Sequence, residues 1–368
     1  MRIVYGIFAA VLLGFMFFVA FQPIEVHTYG RTIIDDGYYY LGYAWNIAAG
    51  NGPTFDGIVN TNGVQPLWAV ILSALALMVP DRVNLIYAML ALSNVLSVLA
   101  AVMMYLSLRQ FLGHSYALLG GGLLLLTMAN PMLGQQGMEL NLNMFVLLWT
   151  WYMVLRIKNF APWPLLCAGL VIGLVCLGRI DNLILTPVFA LTAVYRICTA
   201  QPDTVPVRRL VGSVVLLALP ALLLMGAYLL INLGLFERLL PVSGDVKALL
   251  VEQRIGTHGR FSLEYVLNVT HNAVIHLMFV TNYAFGLILS LFGPQTWYAR
   301  IILVTGIVLL AAYVVSRWNR KSWAVPKPES LTLLVVVLGV FNIGLHTWLM
   351  FFQLDTLYAP HPWYYVAE

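Results

Sequence analysis

A chain of 368 residues in which 61% are hydrophobic and only 9% are charged cannot clothe itself in a water-facing surface, since soluble domains carry about 25% charged residues. With a mean hydropathy of +0.87, its solvent must be mostly lipid, where every backbone polar group needs an internal partner and only helices or a closed barrel remain. The net charge of +4 is too small for the footprint of a nucleic-acid-binding protein.

The apolar runs last about 17 to 25 residues, as bilayer-crossing helices require, and do not alternate in segments of about ten as barrel strands do. The expected fold is therefore all-α, a polytopic transmembrane bundle of about 9–11 spanning helices, with one membrane domain over 1–352. The first run, about 3–21, follows Arg2, lacks a small-x-small cleavage site before Gln22, and reads as a retained helix. A long loop, 22–83, then holds two helical stretches, an amphipathic one at 36–50 that is too short to cross and one at 65–80 that ends at Pro80-Asp81-Arg82. Further helices are expected at about 84–108, 115–130, 141–155, 163–178, 183–198 and 210–233. A polar stretch opens the outer loop 234–296, whose part 263–292 carries His271, Asn272 and His276 within an apolar pattern and fits a re-entrant hairpin, surface helices or two short spans. Helices at about 297–316 and 331–352 and an outer segment 353–368 complete the chain. Cys167, Cys176 and Cys198 form no CxxC and have no nearby histidine, so they read as packing residues.

Lys and Arg favour the cytoplasmic side of short loops. Placing Arg2 inside also puts Arg109, Arg156, Lys158, Arg196, Arg208, Arg209, Arg317, Arg320, Lys321 and Lys327 inside, and of the acids only Asp203 and Glu329 join them. The long loop 22–83 then lies outside. Its Asp35 and Asp36 open a helix, where acids complement the positive dipole end, and they stand among Tyr38, Tyr39, Tyr40, Tyr43 and Trp45. These rings suit an interfacial aromatic belt or the lining of a sugar site. Glu139 has a helix-start reading as well as a functional one, and Arg179 with Asp181 fits a simple pair as well as a phosphate-binding group in a wet cavity.

The run DDGYYYLGYAWNIAAGNGPTFDG, followed by TNGVQPLW, resembles the first outer loop of bacterial GT-C glycosyltransferases, multi-spanning enzymes that use polyprenyl-phosphate sugars. The similar families include protein O-mannosyltransferases, the lipid A aminoarabinose transferase and mycobacterial arabinofuranosyltransferases. GMELN at 137–141, GRID at 178–181, LLPVSGDVK at 239–247 and HPWYY at 361–365 extend the resemblance over essentially the whole chain. The chain departs from the family at Gly37, where a larger residue is common, and at Glu368, where it stops as another helix would be expected.

The resemblance implies transfer of a hexose or pentose from a polyprenyl-phosphate donor to a glycan, lipid or protein acceptor at the outer face of a bacterial cytoplasmic membrane. It implies that the acid pair supplies the catalytic base, Asp35 with Asp36 as partner or alternate, and Glu139, Arg179, Asp181, Lys247, Tyr39, Asn62 and Gln65 as substrate-binding residues. Lys247 would hold the lipid phosphate. A divalent metal, if used, would sit between Asp35 and Glu139. The alternative reading is a transporter or flippase for a lipid-linked glycan, which should carry polar groups at mid-bilayer on broken helices.

Overall fold

A computed structural model describes residues 2–29, 32–129, 131–200 and 206–243, all within the first of two units into which the chain divides, Met1–Val246. Lys247, the stretch 263–292, the helices expected at 297–316 and 331–352, and the segment 353–368 lie outside the described residues.

The described residues are helical, without a named strand. In order they form α1 (Arg2–Ala20), α2 (Ile24–Tyr29), α3 (Asp35–Ala48), α4 (Pro66–Met78), α5 (Arg82–Leu108), α6 (His114–Met128), α7 (Pro131–Gly134), α8 (Leu140–Arg156), α9 (Pro162–Gly178), a 3₁₀ turn (Ile180–Leu185), α10 (Thr186–Ala200) and α11 (Val207–Phe236). Among the described residues, three helical stretches are long and apolar enough to cross a membrane: Arg82–Leu108, Ile180–Ala200 and Val207–Phe236. At 1.5 Å per residue α5 is about 40 Å long, more than the ~30 Å hydrocarbon core.

Local chemistry sets the boundaries. Asp81 caps α5 by accepting from the Asn84 N–H at 2.8 Å, satisfying one of the donors that a helix start leaves open. Pro66 and Pro162 open α4 and α9 at positions where no N–H is needed. α11 ends at Glu237, whose left-handed backbone (φ 56°) closes the last turn.

α5 packs along α6 and α8, α8 along α9, and α9 along α11, while α3 lies on α4. The α9–α11 crossing is built on Gly169 and Gly173, one turn apart. A Cβ at Gly169 would collide with the Leu217 carbonyl oxygen, and one at Gly173 would sit 3.0 Å from the Ala221 Cα. Close backbone approach of this kind holds helices together in lipid, where apolar side chains gain nothing by leaving their solvent. Buried amides add a second fastening. Asn94 of α5 and Gln135 both donate to the Met16 carbonyl of α1, at 2.9 and 2.8 Å, and Asn141 of α8 donates to the Ser93 carbonyl at 3.0 Å.

The loop after α3 is tightly specified. Gly50, Gly52 and Gly57 take positive φ, Asn46 donates to the Thr54 and Phe55 carbonyls, and Asp56 accepts from the Ile58 and Val59 N–H groups at 2.8 and 3.0 Å. These two bonds hold the fully exposed Asp56 carboxyl below its ordinary pKa. A depressed carboxyl contributes stability above its unfolded pKa and loses it as pH falls through the folded value. Amide exchange at Ile58 and Val59 should therefore accelerate on acidification through the aspartate range, and Asp56→Asn, which keeps an acceptor oxygen, should flatten that dependence. Pulse-labelled hydrogen exchange of the full chain at matched intrinsic rates reads both.

Candidate functional site

The site begins at the N-terminus of α3. Gly37 there abuts the turn 134–139: a Cβ on Gly37 would collide with the Gln136 carbonyl oxygen and lie 3.2 Å from the Gly137 Cα. Only a residue without a side chain fits this approach. The Ile34 N–H donates to the same Gln136 carbonyl at 3.3 Å. Gly137 takes φ +81°, and its carbonyl accepts from the Trp68 indole N–H at 3.0 Å, fastening the turn to α4.

This close approach sets Tyr40, one helical turn after Gly37, against Glu139 at the start of α8. The Tyr40 hydroxyl donates to Glu139 Oε2 at 3.0 Å and accepts from the Gln65 N–H at 2.9 Å. Burial, and then the Glu139 charge, drive the Tyr40 pKa well above its ordinary value, so the hydroxyl keeps its proton and remains a donor. Glu139 Oε1 accepts from Arg179 Nη1 at 2.7 Å, and Arg179 Nη2 reaches Asp181 Oδ2 at 2.7 Å. The Glu139 side chain is 2% exposed, that of Arg179 11% and that of Asp181 34%, so the network runs from the interior outward. Gln65 closes it by accepting the Ile180 N–H at 3.2 Å through its side-chain oxygen. Beneath it, Asn182 donates to Asn143 at 2.6 Å and to the Val175 carbonyl at 3.2 Å.

The remaining expected site residues divide sharply. Asp35 and Asp36 are exposed and sit in the first turn of α3, whose N-cap is Ile34. Asp35 accepts from the Asp36 N–H at 3.1 Å and takes no part in the buried network. The structure keeps the acid pair beside the 136–137 turn through the α3 backbone and does not bring Asp35 onto Glu139. Tyr39 is 53% exposed, with its ring 5.3 Å from Phe55. Asn62 is buried and spends its amide on the backbone, donating to the Leu240 carbonyl at 3.1 Å and accepting from the Val242 N–H at 2.9 Å. Its observed work is to pin the start of the LLPVSGDVK run to the first loop.

Tyr40, unlike Tyr39, joins the network, and the sequence reading passed it over as a site residue. The signal was present: Gly37, Tyr40, Leu41 and Ala44 are all buried and recur at helical spacing. The Glu139–Arg179 pair, 40 positions apart, had no such signal.

The donor set does not suit a divalent metal between Asp35 and Glu139. Glu139 commits one oxygen to Arg179 and the other to Tyr40, and among the described residues no three His, Cys, Asp or Glu side chains gather as a ligand group.

The two ends of the bundle differ in charge. The described carboxylates all lie at the site end, from Glu25 in α2 through Asp81 at the α5 cap to Glu237 after α11. At the other end Arg156 ends α8 and Lys158 follows it, Arg196 lies in the last turns of α10, and Arg208 and Arg209 lie in the first turn of α11. The Arg209 guanidinium lies 5.9 Å from the Phe160 ring centre, so the α8–α9 link and the start of α11 share one edge.

Comparison of the chain with protein-family models, with curated proteins and with solved structures finds no match in any of the three.

Proposed function

We propose that the chain is a GT-C-type membrane glycosyltransferase, a polytopic bundle that moves a sugar from a polyprenyl-phosphate donor to an acceptor hydroxyl at the outer face of a bacterial cytoplasmic membrane. One observation carries the reading most. Three segments far apart in sequence, each resembling a family motif, meet in a single network: Tyr40 and Gln65 of the first loop, Glu139 of GMELN, and Arg179 with Asp181 of GRID. The charge asymmetry supports the orientation, because the cationic end belongs inside and the carboxylate end outside. Among the described residues the charged groups lie at the two ends of the bundle, which favours transfer over a transporter with its charges at mid-bilayer.

In the proposed reaction an exposed carboxylate of the Asp35–Asp36 pair takes the proton of the acceptor hydroxyl. The freed oxygen attacks the anomeric carbon, the bond from that carbon to the phosphate oxygen breaks, and the electron pair leaves with the lipid phosphate. A single displacement inverts the anomeric centre. The phosphate leaves without a general acid, so one carboxylate suffices, unlike the two that most glycoside hydrolases need. Arg179, oriented by Glu139 and Asp181, supplies positive charge at the wet edge of the network, and Tyr40 and Gln65 position Glu139.

Membranes holding the chain should transfer radiolabelled sugar from a polyprenyl-phosphate donor. Asp35→Asn and Asp36→Asn should each lower the rate about a hundredfold, within the usual worth of a general base, while the folded protein persists on size-exclusion chromatography. Equal turnover in wild type and both variants would remove the base assignment. Transfer no greater than in membranes without the chain would remove the enzyme reading itself.

A further inference from the structure

We propose that the end of the bundle opposite the site binds an anionic phospholipid, its phosphate between Arg156–Lys158 and Arg208–Arg209 and its acyl chain along α11. The four cations come from the end of α8 and just beyond it and from the first turn of α11, which the fold brings to one edge. Arg209 lies 5.9 Å from the Phe160 ring centre and Arg156 5.8 Å from that of Tyr152, so both guanidinium groups rest on aromatic faces. All four side chains are exposed, and none has an ion-pair partner among the described residues. Asp203, between α10 and α11, lies outside the described residues. Like charges held together repel, and a phosphate diester offsets that repulsion while accepting the guanidinium fork.

The apolar surroundings select the class of anion. Trp163, one residue into α9, is 75% exposed, and Val207, at the head of α11, is 74% exposed. From Val207 an exposed stripe runs down α11 through Val211, Val215, Leu219 and Leu222, at 57, 54, 45 and 67%. The three- and four-residue spacing keeps these side chains on one face. That face is distinct from the one carrying Leu217 and Ala221, which meets Gly169 and Gly173 of α9. A soluble phosphate or a nucleic acid would match the cations and leave the stripe bare. An amphiphile with an anionic head covers both. The inference rests on the membrane reading alone, so a chain without transferase activity would still meet its test.

The full chain, stripped of lipid in detergent, is offered phosphatidylglycerol and phosphatidylcholine in equal amounts, and retained lipid is counted by native mass spectrometry. Phosphatidylglycerol should be retained at least about tenfold over phosphatidylcholine, given the usual contribution of each cation at an anionic surface. Salt near 1 M, where screening acts within about 3 Å, should shrink that preference. The quadruple variant R156Q/K158Q/R208Q/R209Q should lose it, and R208K/R209K should keep most of it. Inorganic phosphate should not displace the lipid. Equal retention of the two lipids by the wild type, a preference that survives in the quadruple variant or in high salt, or displacement by inorganic phosphate would each overturn the proposal. Should the quadruple variant fail to fold, the salt and phosphate arms on the wild-type chain decide.

Discussion

Arg179→Met should lower the stability of the folded chain by about 3 to 5 kcal/mol, the usual cost of removing one partner from a buried ion pair. The variant leaves Glu139, 2% exposed, with its Oε1 facing an apolar side chain and only the Tyr40 hydroxyl at its other oxygen. Asp181 loses the same guanidinium but is 34% exposed, so solvent screens its charge. The damage should therefore be asymmetric. Glu139→Gln in the Arg179→Met background should recover most of the loss, because the amide needs no counter-charge, whereas Asp181→Asn in that background should recover little. Tyr40→Phe, which strips one neutral donor from Glu139 and the acceptor of the Gln65 N–H, should cost less, about 1 to 3 kcal/mol. Reversible unfolding in mixed micelles, with the single and double variants arranged as thermodynamic cycles, separates the terms. An Arg179→Met chain as stable as wild type would mean that the Glu139–Arg179 pairing contributes nothing to stability, and the network would then be incidental to the fold.

The helices were legible because lipid imposes a long apolar run with few alternatives. The stretches expected at 36–50 and 65–80 appear as Asp35–Ala48 and Pro66–Met78, and those expected at 141–155 and 163–178 as Leu140–Arg156 and Pro162–Gly178. Asp81, Pro66 and Pro162 set helix starts by their own backbone chemistry. α2 and α7 went unread, since helices of 6 and 4 residues carry no periodicity to detect. The site was legible in its parts and not in its wiring. The Arg179–Asp181 pairing follows from proximity in the chain, while Glu139 on Arg179 and Tyr40 on Glu139 depend on the approach of α3 to the 134–139 turn, which the absence of a side chain at Gly37 permits. Asn62 looked like a ligand-facing amide, and only its backbone partners at 240 and 242 reveal it as a fastening.

Gly169→Leu should strongly damage the α9–α11 crossing, away from the network, at about 3 kcal/mol or above. Overpacking a fitted interface costs about 1 to 3 kcal/mol when neighbouring side chains can shift. Here the first atom added, a Cβ, already meets the Leu217 carbonyl oxygen, carbonyl carbon and Cα, all of them backbone. Backbone cannot rotate aside as a side chain does, so α11 must move bodily or part from α9. Movement would also open the neighbouring contact, where Gly173 faces Ala221. In lipid no hydrophobic gain draws the helices back together, because the exposed faces are already well solvated by acyl chains. Gly212, on α11 with nothing within 4 Å of an added Cβ, is the matched control: Gly212→Leu should change stability little, and Gly212→Ala should raise it slightly by helix propensity. A cysteine cross-link between α9 and α11 measures the separation directly. Its yield should fall in Gly169→Leu and hold in Gly212→Leu, and equal yields in the two would show that the crossing rests on something other than the closeness of the two backbones.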